Sequence, residues 1–485
     1  MKILSQLLSG ITYTALHGDR KVEVEALVYD SRQVKSGSCF FAVEGTQVDG
    51  HRFIASAVEA GAVAVVCSRL PEELVEGVTY VVVADVQLVL AEMAAAFYDH
   101  PSRELRLVGV TGTNGKTTTT TLLYDLVRAL GYKAGLISTV VYRIDNRTIE
   151  STHTTPDAVR LQAMMREMVE AGCDYCFMEC SSHAIVQHRI HGLHFAGALF
   201  SNLTHDHLDY HGTFAEYIKA KRGLFDALPK GAFALTNIDD RNGRVMVQNT
   251  AARVVTYSLR EVADVRCRLM ELHLDGMLLH LDGEELWAQL TGRFNAYNLT
   301  AAYAVACQLG FDRREVLAAL SSLHPVSGRF ECVRAANGTL AVVDYAHTPD
   351  ALENVLRTIE EIRREGQQLI VLCGCGGNRD KTKRPEMARI ASSYATTAIF
   401  TSDNPRHEDP ETILDEMVAG VEAGVRYLRI SDRAAAIRTA VMLSSAGDIL
   451  LLAGKGHENY QIIGDQKLPF DDREEVRRCF DELCK

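Results

Sequence analysis

The chain has 485 residues, of which 47% are hydrophobic and 24% charged, and it carries a formal net charge of −12 at pH 7. A chain this long exceeds one hydrophobic core and predicts about three domains. Its acidity argues against nucleic acid as the main partner, and no apolar run reaches the roughly 18 to 20 residues of a membrane span.

Residues 1–10 carry one lysine and a short apolar patch but no convincing cleavage site, so no signal peptide is read. Residues 1–102 read as a small α/β domain, with strands at 38–43, 62–67 and 78–83 and helices at 52–60 and 86–98. Two polar, turn-rich stretches beside strands, Tyr29-Asp-Ser-Arg32 and Glu44-Gly-Thr-Gln-Val-Asp-Gly50, are candidate binding loops. Ordinary surface turns share that composition. His100-Pro-Ser102 reads as a linker.

The domain at 103–330 opens on an apolar strand, 105–110, a glycine-rich turn and a helix at 116–130. Val108-Gly-Val-Thr-Gly-Thr-Asn-Gly-Lys-Thr-Thr118 is thus a phosphate cradle. Glycines let the backbone approach phosphate oxygens, and free N–H groups at the helix start point at them. Lys116 adds a cation, and the Thr117 hydroxyl is a candidate Mg²⁺ ligand. The usual Walker pattern has glycine six places before the lysine, where this chain has Val110. Strands follow at 133–138 and 174–180, with a helix at 158–170 between them. Carboxyl ends of parallel strands line the ligand crevice, so Glu179 would face the phosphate loop and reads as a metal ligand rather than a solvated acid.

The next strand, 195–200, exits into Ser201-Asn-Leu-Thr-His-Asp-His-Leu-Asp-Tyr-His-Gly212. Three histidines and two aspartates there suggest cation or phosphate handling. The spacing alone also admits zinc, but a hard cation suits a phosphate loop better. A helix at 214–228 carries Lys219, Lys221 and Arg222, which from chemistry alone read as a solvated face. Residues 253–290 look β-rich, as a strand insert, and Asn295 and Asn298 open an alanine-rich helix reaching 309.

From 331 the alternation restarts, with strands at 340–345, 368–373, 398–402, 426–430 and 448–453. Their ends carry Asp344-Tyr-Ala-His-Thr-Pro-Asp350, Gly374-Cys-Gly-Gly-Asn-Arg-Asp-Lys381, Asp403-Asn-Pro-Arg-His-Glu-Asp-Pro410 and Gly454-Lys-Gly-His-Glu458. The expected fold is α/β in three domains: a small N-terminal α/β domain (1–102), a central P-loop ATPase-like parallel-sheet domain (103–330) and a C-terminal Rossmann-like doubly wound domain (331–485). Twelve scattered cysteines form no paired CxxC clusters, and Cys373-Gly-Cys375 has the wrong spacing for a zinc knuckle. They read as reduced thiols of a cytoplasmic protein.

Thr111-Gly-Thr-Asn-Gly-Lys-Thr-Thr118, Ser201-Asn-Leu-Thr-His-Asp-His-Leu-Asp209, Ser327-Gly-Arg329, Asp344-Tyr-Ala-His347 and Gly454-Lys-Gly-His-Glu458 together resemble the Mur ligases, in order over essentially the whole chain. The resemblance implies an ATP-dependent amide-forming enzyme of peptidoglycan precursor synthesis that uses Mg²⁺. A cytoplasmic monomer is expected. Within the family, the chain is similar to members that extend UDP-N-acetylmuramoyl-L-alanyl-D-glutamate. Asp403-Asn-Pro-Arg406 is similar to the motif of those that add meso-diaminopimelate instead of L-lysine.

The same resemblance carries roles onto matching positions. For ATP they are Gly112, Thr113, Asn114, Gly115, Lys116, Thr117 and Thr118, with Asn295, Asn298, Arg329 and Asp344. Thr117, Glu179 and His207 match metal positions, and Lys221 matches a carbamylated lysine, which would overturn its reading as a solvated residue. Lys116, Lys221 and His207 are the implied catalytic residues. The UDP-linked substrate falls to Tyr29, Ser31, Thr46, Gln47, Val48, His153, Thr154, Thr155, Ser181, Gln187 and Arg189. His153 stands where the family has asparagine, which leaves its role open. Diaminopimelate falls to Arg379, Asp403, Asn404, Pro405, Arg406, Gly454 and Glu458. His207, His347 and Glu458 are the candidates for taking the amine's proton, and the sequence does not choose among them. The alternatives are a sister ligase of different amino-acid choice, a P-loop switch or motor, and a binding protein without activity.

Overall fold

The computed structural model describes all residues except 46–47, 205–207 and 484, and the side chains of 208 and 209. The chain is α/β throughout. Near the N-terminus a five-stranded sheet runs in the spatial order Ala15–His17, Thr79–Val82, Ala62–Cys67, Ser38–Phe41, Ala26–Val28. All neighbours are parallel except the edge strand Ala15–His17. The stretch predicted as a helix at 52–60 begins as a 3₁₀ turn, Gly50–Phe53, because the Asp49 side chain accepts the His51 N–H and caps it there.

Among the described residues the largest sheet has eleven strands. Its spatial order is Arg147–Glu150, Val141–Ile144, Ala134–Ile137, Tyr175–Glu179, Arg106–Thr111, Phe195–Phe200, Phe233–Asn237, Arg253–Ser258, Val265–His273, Gly276–Leu281, Glu284–Ala288. The expectation of a parallel sheet holds for the inner seven, Ala134–Ile137 through Val265–His273. Antiparallel hairpins extend both edges, so the sheet is mixed. Residues 253–290 are therefore not a separate insert: Arg253–Ser258 pairs with Phe233–Asn237, and the later strands continue the same sheet.

From the central strand Arg106–Thr111 the chain moves out to Ala134–Ile137, returns to Tyr175–Glu179 between them, then crosses to Phe195–Phe200 on the other side. The order reverses at Arg106–Thr111. The helices that follow Arg106–Thr111 and Phe195–Phe200 thus pack on opposite faces of the sheet, while the two strand exits run side by side at the ligand crevice. Strands buried on both faces, such as Tyr175–Glu179, explain why these segments read as continuous apolar runs rather than alternating ones. The helix after the phosphate loop, Lys116–Ala129, shares its core with the alanine-rich helix Arg293–Gln308.

A third sheet runs in the order Glu331–Arg334, Leu340–Asp344, Ile449–Ala453, Leu369–Cys373, Thr397–Phe400, Tyr427–Arg429 and is parallel except at its Glu331–Arg334 edge. A hairpin absent from the sequence expectation, Tyr460–Ile463 with Gln466–Pro469, folds over its carboxyl end. Beneath that end lies a buried ion pair. Arg433 donates to both Asp472 carboxylate oxygens at 2.8 and 2.6 Å. Its remaining N–H groups reach the carbonyls of Ser402 (3.3 Å) and Ala453 (3.1 Å), the residues just before Asp403 and Gly454. One guanidinium thus ties the exits of two strands together. Among the described residues no helix is long and apolar enough to cross a membrane.

Removing one partner of a buried pair leaves an uncompensated charge, at a cost of about 3–5 kcal/mol. Arg433→Ala is expected to lower the urea midpoint of unfolding markedly; an unchanged midpoint would contradict the bracing role.

Candidate active site

The phosphate loop is threaded into the crevice by its glycines. Gly112 has φ +148°, and a Cβ there would run into Ser201 Oγ. Gly115 has φ +87°, and a Cβ there would lie 2.6 Å from Asn298 Oδ1. The loop is then pinned to the neighbouring strand exit. Thr113 N donates to Asn202 O at 2.8 Å, Asn114 N donates to Asn202 Oδ1 at 2.9 Å, and Ser201 Oγ donates to Asn114 O at 2.6 Å. Two lysines converge on one carbonyl. Lys116 Nζ donates to Gly112 O at 2.9 Å and Thr113 O at 2.8 Å, and Lys221 Nζ donates to Gly112 O at 2.7 Å.

Lys221 corrects the chemistry-only reading of its helix. Its helix, Phe214–Asp226, turns Tyr217, Ala220, Lys221, Leu224 and Phe225 inward, and Lys221 is only 1% exposed. Its ammonium sits 4.7 Å from the centre of the Tyr217 ring. Lys219 and Arg222 behave as read, pairing on the surface with Glu216 and Asp226.

Glu179 ends the strand in register with Val110 and is fully buried. Its carboxylate accepts the Thr139 N–H at 2.8 Å and the Thr139 hydroxyl at 3.1 Å. Thr117 Oγ1 accepts from Arg329 Nη2 at 3.1 Å. A hydroxyl and a carboxylate at adjacent strand exits are hard oxygen donors of the kind Mg²⁺ takes. His207, Thr46 and Gln47 lie outside the described residues.

Asn295 and Asn298 brace the cradle: Asn298 Oδ1 accepts from Thr119 Oγ1 at 3.3 Å, its Nδ2 donates to Asn295 Oδ1 at 3.0 Å, and Asn295 Nδ2 donates to Thr291 O at 2.8 Å. Thr118 is buried in the Lys116–Ala129 helix, next to Thr119. Arg329 lies 4.8 Å from the Tyr345 ring centre. Asp344 accepts the Phe330 N–H at 2.7 Å and so holds the Arg329 turn. Burial pushes the Asp344 carboxyl up to about 6, against the pull of Arg329.

A second group lines an open cleft between the first two sheets: Tyr29 from one side, His153, Asp157, Gln187 and Arg189 from the other. Arg189 donates to Gln187 Oε1 at 3.0 and 2.6 Å and to Thr155 O at 2.8 Å. Gln187 Nε2 donates to Tyr210 OH at 3.2 Å. Thr155 Oγ1 donates to Glu179 O at 2.7 Å and accepts the Ser181 N–H at 3.2 Å, and Thr154 Oγ1 accepts from Thr139 Oγ1 at 3.1 Å. Burial and the neighbouring Asp157 raise the Tyr29 pKa. Ser31 opens a 3₁₀ turn beside Tyr29 that Asp30 caps, and Val48 is half exposed; neither lines the cleft.

The third group lies on the exits of the last sheet. Arg406, at φ +53°, is held by the late hairpin: its N–H donates to Ile462 O at 3.0 Å and its carbonyl accepts from Gly464 N at 2.7 Å. Its Nη1 donates to Gly377 O at 2.9 Å and Asn404 O at 3.4 Å. Burial and the Arg379 charge lower its pKa, against the pull of Asp403 and Glu458. Pro405 O lies where a Cβ on Gly377 would go, so the two loops touch by backbone. Gly454, at φ +111°, passes Asp403 so closely that a Cβ would lie 2.8 Å from Asp403 Oδ2. Arg379 is exposed at the rim of this group, near enough for its charge to act on Arg406, and donates to Asn378 O at 3.2 Å.

Two residues without an expected role join these groups. Asn114 Nδ2 donates to Asp350 Oδ2 at 2.8 Å, linking the phosphate loop to the last domain. Lys455, fully buried, donates to Glu458 Oε2 at 3.0 Å and Asn404 Oδ1 at 3.3 Å. Both sit inside strand-exit motifs that composition had flagged, but nothing local in the sequence marks them as contacts.

Comparison with known proteins places this geometry. Residues 110–306 match the Mur ligase middle domain, 328–456 the Mur ligase glutamate ligase domain, and 23–98 a model described as Mur ligase family, catalytic domain. The chain is 51% identical over 479 residues to UDP-N-acetylmuramoyl-L-alanyl-D-glutamate--2,6-diaminopimelate ligase of Bacteroides fragilis, covering 98% of this chain and 99% of that one. It is 52% identical over 479 residues to the protein of the same name from Phocaeicola vulgatus, with the same coverage. A solved structure of a protein of that name aligns over 100% of both chains with a TM-score of 0.71 and 34% identity.

The raised Asp344 pKa has a signed consequence. Between its ordinary 3.8 and about 6, the folded chain holds a proton that the unfolded chain releases. The stability this proton lends is complete below pH 4 and lost as pH rises through 6, by ~3 kcal/mol. Asp344→Asn cannot ionise, so its stability relative to wild type should climb by about that much from pH 4 to 7 in urea titrations; a pH-independent difference would refute the shift.

Proposed function

The chain belongs to the Mur ligase family, and we propose that it joins meso-diaminopimelate to the D-glutamyl γ-carboxylate of UDP-N-acetylmuramoyl-L-alanyl-D-glutamate with cleavage of ATP, in peptidoglycan precursor synthesis. The observation that carries this reading is the convergence of Lys116 and Lys221 on the Gly112 carbonyl, in a loop that Arg329 and Asp350 touch from the amino-acid side. The phosphate loop and the last domain touch there. The proposed division of labour gives the UDP end to 1–102, ATP to 103–330 and the amino acid to 331–485.

A carboxylate lacks a leaving group, so it does not condense with an amine unaided. In the first step a γ-carboxylate oxygen attacks the γ-phosphorus of ATP, the bond to the β-phosphate oxygen breaks, and an acyl phosphate and ADP result. In the second, the amine of diaminopimelate attacks the acyl carbon, inorganic phosphate leaves and the nitrogen loses a proton. The loop Gly112 to Thr118 holds the phosphates, chiefly through the N-terminal end of its helix, and Lys116 swings from the loop carbonyls onto the transferring group. Asn295, Asn298, Arg329 and Asp344 flank the nucleotide. Thr117, Glu179, His207 and a carbamylated Lys221 hold Mg²⁺, which supplies charge neutralisation where two anions meet. Carbamylation fits a lysine that is buried at the loop, because addition of CO₂ converts its amine into an anionic oxygen donor.

Tyr29, Ser31, Thr46, Gln47 and Val48 take the UDP end, and His153, Thr154, Thr155, Ser181, Gln187 and Arg189 the sugar and dipeptide. The cleft that His153, Gln187 and Arg189 share with Tyr29 supports this. Arg406 clamps the distal carboxylate of diaminopimelate with two parallel hydrogen bonds, and a guanidinium held in place by the Gly377 and Asn404 carbonyls supports that role. Arg379, Asp403, Asn404, Pro405, Gly454 and Glu458 surround it. The reading is of a cytoplasmic monomer; the free thiols among the described cysteines support the reducing compartment.

The test is an amino-acid panel with the UDP-linked dipeptide and ATP, scored by phosphate release. Release is expected with meso-diaminopimelate and little with L-lysine; release without any amine would favour a hydrolytic P-loop switch. In the same assay Arg406→Ala should raise KM for diaminopimelate about ten- to a hundredfold, the worth of a lost charged hydrogen bond, and leave KM for ATP unchanged. Full diaminopimelate activity in that variant would remove the clamp. Lys221→Ala should lose most turnover and regain part of it with added acetate or formate; unaltered turnover would exclude the carbamate.

A further inference from the structure

The amino-acid loops are arranged around a cation that has no assigned role. Lys455 lies between Gly454 (φ +111°) and Gly456 (φ +51°). A Cβ at Gly456 would lie 2.6 Å from Gly328 O and from Tyr345 Cβ. Two left-handed glycines in so tight a passage turn the intervening side chain inward, and Lys455 is 0% exposed.

There it closes a ring of three side chains. Lys455 Nζ donates to Glu458 Oε2 at 3.0 Å and Asn404 Oδ1 at 3.3 Å, and Asn404 Nδ2 donates to the same Glu458 Oε2 at 2.8 Å. Asn404 Oδ1 also accepts the Ile462 N–H at 2.9 Å. The amide therefore has one satisfiable orientation: its oxygen faces two donors and its nitrogen faces a carboxylate. The backbone carbonyl of the same Asn404 accepts from Arg406 Nη1 at 3.4 Å. A path of direct contacts thus runs from Lys455 through Asn404 to the guanidinium proposed to hold the substrate carboxylate. Asp403 Oδ1 lies 4.0 Å from the same ammonium. Without a cation between them, Asp403 and Glu458 would be two buried carboxylates crowding one site, and burial together with Asp403 already pushes the Glu458 carboxyl up while Lys455 pulls it down.

We propose that Lys455 is a positioning residue for the amino-acid substrate: it occupies Glu458 Oε2 and Asn404 Oδ1, leaves Glu458 Oε1 to accept the substrate's distal ammonium, and fixes the loop that aims Arg406 at the distal carboxylate. The inference rests on the amino-acid assignment made above. It adds a residue that touches no substrate atom but sets the charge and orientation of those that do. A buried ammonium with two hydrogen-bonded oxygen partners and a second carboxylate at 4.0 Å offsets part of its desolvation through them. Substrate selection, rather than stability, is the property that its removal should change most.

The experiment compares wild type with Lys455→Met and Lys455→Gln in steady-state assays with meso-diaminopimelate, ATP and the UDP-linked dipeptide, alongside thermal unfolding. The Met variant should raise KM for diaminopimelate at least about tenfold while KM for ATP and for the UDP-linked dipeptide stay within about twofold. The Gln variant, which keeps an amide donor but no charge, should fall between. An unchanged KM for diaminopimelate overturns the proposal. So does a parallel rise in all three KM values, or failure of both variants to fold, since either marks a structural brace. Wild type that releases no phosphate with diaminopimelate would sink the functional reading itself; wild type that does, with variants that match it, sinks only the role of Lys455.

Discussion

Everything in the central sheet is arranged around the passage of Gly112 past Ser201. The two strand exits run side by side at the point where strand order reverses, and only a residue without a Cβ, in a left-handed conformation, clears the Ser201 hydroxyl. That approach lets Asn202 take the N–H groups of Thr113 and Asn114 and lets Ser201 cap the Asn114 carbonyl. With those bonds spent on the neighbouring strand, the Gly112 carbonyl faces the two lysines, and the first N–H groups of the Lys116–Ala129 helix remain for an anion. A side chain at Gly112 would remove the geometry and the electrostatics of the site together.

The strands and helices of the inner layers were legible because their signals are local. Apolar runs of strand length ended by polar, glycine-rich exits placed 62–67 and 195–200 to the residue, and 3.6-residue periodicity with Asp157 as cap placed 158–170. The hairpins were not. Arg147–Glu150 is largely solvated, and Val141–Ile144 buries only Tyr142 and Ile144, too short an alternation to stand out, although the two-residue turn with Asp145 at φ +50° is a hairpin signal. Residues 253–290 read as strands, but alternation says nothing about which edge a strand joins. The same limit applies to side chains. The phosphate loop is recognisable because its chemistry is contiguous. Lys221 is not, because its burial depends on Gly112, 109 residues away. Arg433 and Asp472 are 39 apart and look like ordinary surface charges until the fold brings them together.

The last domain is organised by buried cations in the way the central one is organised by glycine. Arg433 with Asp472 ties the bases of the Asp403 and Gly454 loops; Arg384, also fully buried, joins Glu408 and Glu416 and donates to Gly376 O at 3.2 Å; Lys455 joins Asn404 and Glu458. A buried ion pair is a poor device for stability, since desolvation cancels most of its attraction. It is a good device for orientation, because a charge in a low dielectric tolerates few arrangements of its partners. Three loops that must present one cation and one anion to a zwitterionic group, at the same spacing in every turnover, need that orientation more than they need stability. Apolar packing would stabilise the same exits but would leave the direction of each polar side chain free. On the proposed assignment of these loops, the cations beneath them select among amino acids indirectly: they leave the substrate untouched and fix what touches it.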